Sequence, residues 1–175
     1  QGVRVLAFPE LCLTGYTCSD LFLQKTLLDG AEQALACLLE ESRALSMVTL
    51  VGLPVRKDGK LYNCAAVFTQ GRLLGVVPKT HLPNYNEFYE LRHFTPAPEE
   101  TLEICLAGQS CPFGRKLLFS CDTMPDLMLG VEVCEDLWVP NPPSIGLAMA
   151  GATVIANLSA SDETIGKADY RRALI

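Results

Sequence analysis

The chain has 175 residues, of which 49% are hydrophobic and 19% are charged, and this is enough for one domain with a sizeable core. A net charge of −6 argues against a nucleic acid or an anionic membrane as partner, and no apolar run is long enough to span a bilayer. The eight cysteines include no CxxC pair, which argues against a zinc site or a thioredoxin-like site. Most of them lie inside apolar runs, so we expect free thiols and a cytoplasmic location.

The hydrophobic pattern predicts a mixed α/β sheet in which strands alternate with helices. The first strand covers residues 3–8 and leads directly into Pro9 and Glu10. A helix is predicted over residues 24–46, where apolar side chains recur at helical spacing. The remaining strands are predicted at residues 48–55, 61–69, 73–77, 127–133 and 152–158.

Two parts of the chain are less regular. Residues 82–116 carry scattered proline, glycine, asparagine and glutamate with few periodic apolar positions, which predicts a long loop that is functional or mobile. After a proline-rich break, Ser144 is the predicted N-cap of a helix that ends at Ala150. A last helix is predicted to begin at Lys167 and to continue to Ile175.

Three predicted strands each end at a residue with useful chemistry. These residues are Glu10 in FPELCLTGY, Lys79 in VVPKTHLP and Cys134 in GVEVCEDLW. A thiol is a poor nucleophile until it ionises, and a nearby ammonium group lowers its pKa. A carboxylate in a partly apolar site can act first as a general base and then as a general acid. The three residues together therefore suit nucleophilic catalysis by Cys134.

Each of these residues also has a simpler interpretation. A single cysteine after an apolar strand is more often a core residue, and a single lysine after a strand is more often a solvated turn residue. Glu10 could equally be a surface carboxylate at a strand end. A cysteine–histidine enzyme is a further alternative, because His81 and His93 follow Lys79 in the chain.

Several other active-site classes lack their motif in this sequence. No glycine-rich phosphate-binding loop of either common pattern occurs, and no G-x-S-x-G elbow of a serine hydrolase is present. No cluster of histidine and acidic residues has the spacing of a metal site, so we predict no metal.

The segments FPELCLTGY, YNCAAV, PKTHLPNYNEFYELRHFTP, GVEVCEDLWVP and ANLSAS resemble the carbon–nitrogen hydrolase (nitrilase) superfamily. The finer resemblance is to the glutaminase domains of glutamine-dependent NAD synthetases, and it covers nearly the whole chain. It implies an αββα sandwich with a Glu-Lys-Cys triad in the chain order seen here. It also implies that this chain enters at the second strand of such a domain and stops within a helix, so that the sandwich is truncated at both ends.

The resemblance assigns roles to particular residues. It makes Cys134 the nucleophile, Glu10 the general base, Lys79 the stabiliser of the thiolate and the oxyanion, and Glu90 a supporting carboxylate. Where the family usually has tyrosine, this chain has His93, whose role stays open. The positions that match glutamine-binding residues of the family are Tyr16, Tyr85, Glu135, Ser161 and Lys167.

The resemblance also implies a biological setting. Residues 1–175 would form part of a glutamine amidotransferase domain that needs no cofactor and releases ammonia from L-glutamine. A synthetase domain that is absent from this chain would use the ammonia, with ATP and Mg, to convert deamido-NAD to NAD. A homo-oligomer is expected because the family packs two sandwiches face to face. The alternatives are a free-standing amidase or nitrilase, and a non-catalytic module.

Overall fold

The computed structural model describes residues 2–174 and contains two β-sheets that pack against each other. The larger sheet has six strands in the order β1-β2-β3-β4-β6-β5, in which β1 pairs with β2 and β4 with β6 in parallel, whereas the other neighbours are antiparallel. Its strands are β1 (Val5–Ala7), β2 (Val48–Lys57), β3 (Lys60–Thr69), β4 (Arg72–Pro78), β5 (Leu102–Leu106) and β6 (Gln109–Phe113).

The smaller sheet has three strands in the order β7-β8-β9, with an antiparallel first pair and a parallel second pair. These strands are β7 (Leu118–Cys121), β8 (Met124–Val133) and β9 (Val154–Leu158). Three α-helices accompany the sheets, namely α1 (Lys25–Glu41), α2 (Pro143–Met149) and α3 (Lys167–Leu174).

The core between the two sheets follows from alternation along the strands. In β3, Ala65 and Val67 point to the smaller sheet, and in β8, Val131 and Val133 point back at them. The opposite face of the larger sheet packs under α1, whose buried side chains include Leu35. On the far side of the smaller sheet, α2 packs against β8. The layers therefore run helix, sheet, sheet, helix.

A close approach between β8 and α2 requires a glycine. A Cβ atom at Gly130 would lie 2.8 Å from the side chain of Ile155 and 3.1 Å from that of Leu147 in α2. The missing side chain lets the helix lie close on the sheet, which completes the fourth layer.

The prediction of an irregular segment at residues 82–116 is wrong in part. A short 3₁₀ helix (Glu90–Arg92) and the hairpin of β5 and β6 lie within it. The hairpin turns at Ala107 and Gly108, both in the left-handed region with φ of 50° and 75°. Burial alternates along β5, where Ile104 and Leu106 are buried while Glu103 and Cys105 are exposed. The hairpin is short and interrupted by a proline, which hides it from a search for longer patterns.

Several predicted boundaries also need correction. The first helix ends at Glu41 rather than residue 46, and β8 begins three residues earlier than predicted, after the missed strand β7. Ser144 is not the N-cap of α2, because the helix begins at Pro143 and proline is favoured in that first position. The predicted continuation of α3 to Ile175 lies outside the described residues.

Among the described residues, no helix combines the length and the apolar character needed to cross a membrane.

Candidate active site

Glu10 is held in the interior by a close contact between its loop and β2. A Cβ atom at Gly52 would lie only 2.2 Å from the backbone nitrogen of Leu11, so only glycine allows this approach. Leu11 adopts a left-handed φ of 51°, which turns the chain back after β1. The Glu10 side chain is buried as a result, with 2% of the residue exposed. The interpretation of Glu10 as a surface carboxylate is therefore wrong.

Lys79 is the second buried charge and lies between two carboxylates. It follows β4 and has the same parity as Val77, so its side chain points into the core between the sheets. Its Nζ donates to Glu10 Oε1 at 2.7 Å and to Glu90 Oε1 at 2.6 Å. Burial disfavours the ammonium, but the two carboxylates outweigh it, and the pKa of Lys79 is raised. Lys79 is thus not a solvated turn residue.

Glu90 completes the charged cluster from the short 3₁₀ helix. It accepts a hydrogen bond of 2.7 Å from the Tyr16 hydroxyl in addition to that from Lys79. Its pKa is raised, first because it is buried and also because the Glu10 carboxylate lies nearby, while Lys79 opposes both effects. Two carboxylates thus share one ammonium in the interior, and this leaves the three groups with one net negative charge when all are ionised.

Cys134 lies at the end of β8 in a strained backbone conformation. Its φ of 45° is in the left-handed region, which is uncommon for a residue with a side chain and concentrates at functional sites. The turn begins a 3₁₀ helix (Cys134–Leu137), and the Asn157 amide donates to the Cys134 carbonyl at 3.3 Å. Because the turn breaks the alternation of β8, Val133 and Cys134 both join the core between the sheets.

The resting thiol of Cys134 is protonated at neutral pH. Burial, together with the nearby Glu10 carboxylate, raises its pKa to about 12, although Lys79 and Ser159 act in the opposite direction. The Lys79 ammonium lowers this pKa, as expected from the sequence, but the effect of burial is larger. The Glu10 carboxylate is near enough to the thiol for its charge to act on this pKa. A nucleophilic thiolate can form here only if the proton moves to an adjacent base.

Asp136 joins the strand ends that carry Lys79 and Cys134, a role that the sequence did not reveal. Its carboxylate accepts from the backbone N–H groups of Thr80 at 3.1 Å, His81 at 2.7 Å and Val133 at 3.1 Å. Burial raises its pKa to about 6 despite these donors. One side chain therefore cross-links the end of β4 in the larger sheet to the end of β8 in the smaller one.

A cavity of about 230 Å³ opens next to Cys134 and contains four of the five predicted glutamine-binding residues. Tyr85 donates to the Glu135 carboxylate at 2.9 Å on one wall. On another wall, Lys167 forms an ion pair with Asp162 and lies over the Trp138 ring. The four residues are Tyr85, Glu135, Ser161 and Lys167.

The other candidates lie elsewhere. Tyr16 does not line this cavity, because its hydroxyl is bound to Glu90, and it borders a separate cavity of about 130 Å³ together with His93. His93 packs against the rings of Phe22 and Phe94. His81 borders a third cavity beside α2. Neither histidine lines the cavity beside Cys134.

Within residues 2–174, no group of three or more histidine, cysteine or acidic side chains is arranged to hold a metal ion. All eight cysteines are free thiols.

The fold is thus an αββα sandwich, with a thiol, a lysine and two carboxylates gathered at one end of the interface between its sheets. The sequence model of the carbon–nitrogen hydrolase family matches residues 1–172, and the chain belongs to that family.

Within this family, the chain is similar in sequence and structure to glutamine-dependent NAD(+) synthetases. A glutamine-dependent NAD(+) synthetase of Mycobacterium tuberculosis strain H37Rv is 49% identical over 174 residues, which cover 99% of this chain and 26% of that protein. The crystal structure of such a synthetase from Cytophaga hutchinsonii is 32% identical, with a TM-score of 0.84 over 99% of this chain and 27% of that one. The present chain therefore spans about a quarter of the length of these relatives.

A more distant structure supports the fold alone. An amidase of the nitrilase superfamily from Nesterenkonia AN1 is 21% identical, with a TM-score of 0.68 over 99% of this chain and 59% of that one. The predicted nitrilase-type αββα sandwich is confirmed by these matches.

Proposed function

We propose that this chain hydrolyses L-glutamine to glutamate and ammonia through a thioester on Cys134. The observation that carries the proposal is the buried ion pair of Glu10 and Lys79, whose charges both act on the buried Cys134 thiol, beside a cavity that Cys134 lines. Glu10 takes the thiol proton, and the sulfur attacks the side-chain amide of glutamine. Lys79 stabilises the negative charge that develops on the amide oxygen.

The second half of the reaction uses the same carboxyl group. Glu10 returns its proton to the departing nitrogen, so that the C–N bond breaks, ammonia leaves and the thioester remains. Glu10 then accepts a proton from water as the water attacks the thioester, and that proton returns to the sulfur as glutamate leaves. Each proton that the carboxylate takes is given back, so Glu10 and Cys134 end in their starting states.

The cavity walls support an amino acid as the substrate. Glu135 and Lys167 both line the cavity and carry opposite charges, which match the ammonium and carboxylate groups of a free amino acid. Tyr85 orients Glu135 through its hydrogen bond, and Ser161 adds a hydroxyl group. We propose these four residues as the glutamine-binding set, and Tyr16 as a ligand of Glu90 rather than of the substrate.

The similarity to glutamine-dependent NAD(+) synthetases supports a larger role. We propose that the ammonia is used by a synthetase portion of the same polypeptide, which would bind ATP and Mg and convert deamido-NAD to NAD. This role makes L-glutamine and the synthetase portion the partners, in a homo-oligomer located in the cytoplasm. The free thiols suit that reducing compartment.

An assay on the full-length polypeptide tests the proposed function. We expect glutamate and ammonia from L-glutamine, with little hydrolysis of acetamide, propionamide or small nitriles. Faster turnover of those small amides or nitriles than of glutamine would establish the alternative of a free-standing amidase or nitrilase. No turnover of any amide, with the thiol still accessible to alkylation, would establish a non-catalytic module.

Replacement of Glu10 by glutamine should remove the proton transfer and keep the shape. We expect Glu10→Gln to bind glutamine and to turn over at least 100-fold more slowly, because a positioned acid–base contributes about 10²–10⁴ in rate. The measurement is kcat by glutamate release, with binding of glutamine followed by calorimetry. His81→Ala and His93→Ala are the controls and should lose much less. A large loss in a histidine variant, with a mild loss in Glu10→Gln, would favour a cysteine–histidine mechanism.

A further inference from the structure

Asn63 donates to both buried carboxylates of the active-site cluster and pairs with the backbone of Lys79. It lies in β3 with the parity of Ala65 and Val67, so its side chain points into the interface between the sheets. Its Nδ2 donates to Glu10 Oε1 at 2.7 Å and to Glu90 Oε2 at 3.3 Å. Its backbone carbonyl accepts from the Lys79 N–H at 2.8 Å. Only 1% of Asn63 is exposed.

The orientation of the Asn63 amide follows from its neighbours. Its Oδ1 is buried and has no hydrogen-bond partner among the described residues. A flipped amide would place this oxygen against two carboxylates and would leave Nδ2 without an acceptor. The Nδ2 group therefore faces both carboxylates, and Oδ1 is left without a hydrogen-bond partner.

Resting on the proposed function, we propose that Asn63 is a positioning residue that keeps Glu10 and Glu90 hydrogen-bonded as anions on either side of Lys79. Two carboxylates on one ammonium form an unbalanced cluster that favours the uptake of a proton. A neutral donor shared by both carboxylates offsets that tendency without a second positive charge. Lys79 thereby stays between them, and Glu10 stays free to accept the thiol proton.

The groups that face the two carboxylates are few. Lys79, Tyr16 and Cys134 are the ionisable ones, and His93 borders the cavity on the other side of Glu90. Within residues 2–174, only Asn63 and Lys79 donate to both carboxylates, and Asn63 is the neutral one of the two; the Ala160 N–H donates to Glu10 alone. The removal of its donor should therefore weaken the anionic form of both.

The test is the pH dependence of two reactions in the full-length polypeptide. One reaction is glutamine hydrolysis, and the other is alkylation of Cys134 by iodoacetamide, which requires no knowledge of the substrate. In Asn63→Leu, we expect the acid limb of both profiles to move up by about one to two pH units, the size of a lost hydrogen bond to a charged group. The KM should change little, since Asn63 does not line the substrate cavity.

Asn63→Asp is nearly isosteric and should shift the limb further, because a third carboxylate adds charge of the same sign. Asn63→Ser keeps a shorter donor and should shift it less. The matched controls are Asn141→Leu and Asn141→Asp, at an exposed asparagine beside α2, and both should leave the profiles unchanged.

The outcomes are distinct. An unshifted limb in Asn63→Leu, with only lower thermal stability, would assign Asn63 a merely structural role and overturn the proposal. Loss of cooperative unfolding in every Asn63 variant would overturn it as well. Failure of the wild-type polypeptide to hydrolyse glutamine would overturn the proposed function instead, while the alkylation profiles would still decide the role of Asn63.

Discussion

Replacement of Cys134 by alanine is expected to abolish glutamine hydrolysis while the protein stays folded. The reaction needs a covalent bond to sulfur, and among the described residues Cys134 is the cysteine that lines the substrate cavity. Alanine is smaller and apolar, so it enters the buried position without overpacking. Glutamate release measures the activity, and the thermal unfolding midpoint reports the fold.

A glutamine analogue that carries an electrophile should label Cys134 and spare the other seven cysteines. Cys64 is the matched control, because it is also buried and its pKa is raised by burial. It lies on the helix-facing side of the larger sheet among apolar side chains and has no base beside it. Cys64→Ala should therefore keep the activity. Labelling at Cys12 or Cys18 would contradict the assignment of Cys134.

Replacement of Lys79 by methionine is expected to reduce both the rate and the stability. Two buried carboxylates would then lack their counterion, and removal of one partner from a buried ion pair costs about 3–5 kcal/mol. The oxyanion would also lose its partner, which lowers kcat by about 100- to 1000-fold. Denaturant unfolding and the rate of glutamate release are the two measurements.

The pH dependence of the folding stability distinguishes the loss of this counterion from a nonspecific destabilisation. In Lys79→Met, the carboxylates should take up a proton in the folded state, so the folded protein should gain stability as the pH falls. The wild type should not show this gain to the same extent. Lys25→Met is the control, since Lys25 is exposed and pairs only with Asp29, and it should be nearly silent in both measurements. If Lys79→Met hydrolysed glutamine as fast as the wild type, the proposed role of Lys79 would be contradicted.

The parts of this fold that sequence patterns predict are the long, strongly apolar ones. The sequence predicts β2, β3 and β8 because each carries continuous or alternating apolar residues over many positions. The β5–β6 hairpin and β7 escape prediction because they are short and, unlike the equally short β1, are interrupted by polar residues or proline. Short edge strands owe their pairing to neighbours in the sheet more than to their own composition.

The active site divides in a similar way. Glu10, Lys79 and Cys134 stand out because each follows a strand and carries reactive chemistry. Asn63 and Asp136 do not, because their importance comes from what they touch across the interface between the sheets. A resemblance to a family identifies the reactive residues more readily than the polar residues that hydrogen-bond to them. The raised pKa of Cys134 was likewise not visible in the sequence, since it depends on burial.

The cross-link made by Asp136 has a mechanical consequence. Glu10 and Lys79 follow strands of the larger sheet and Cys134 follows a strand of the smaller one, so the reacting groups face each other across a boundary that no strand pairing crosses. A sliding motion of one sheet over the other would separate sulfur from carboxylate without breaking a single strand pairing. The hydrogen bonds that Asp136 accepts from the backbone of Thr80 and His81 resist that shear beside the nucleophile. Forces applied to the outer helices by a neighbouring domain or subunit would therefore reach the nucleophile through this carboxylate and through the hydrogen bond from the Ala160 N–H to Glu10.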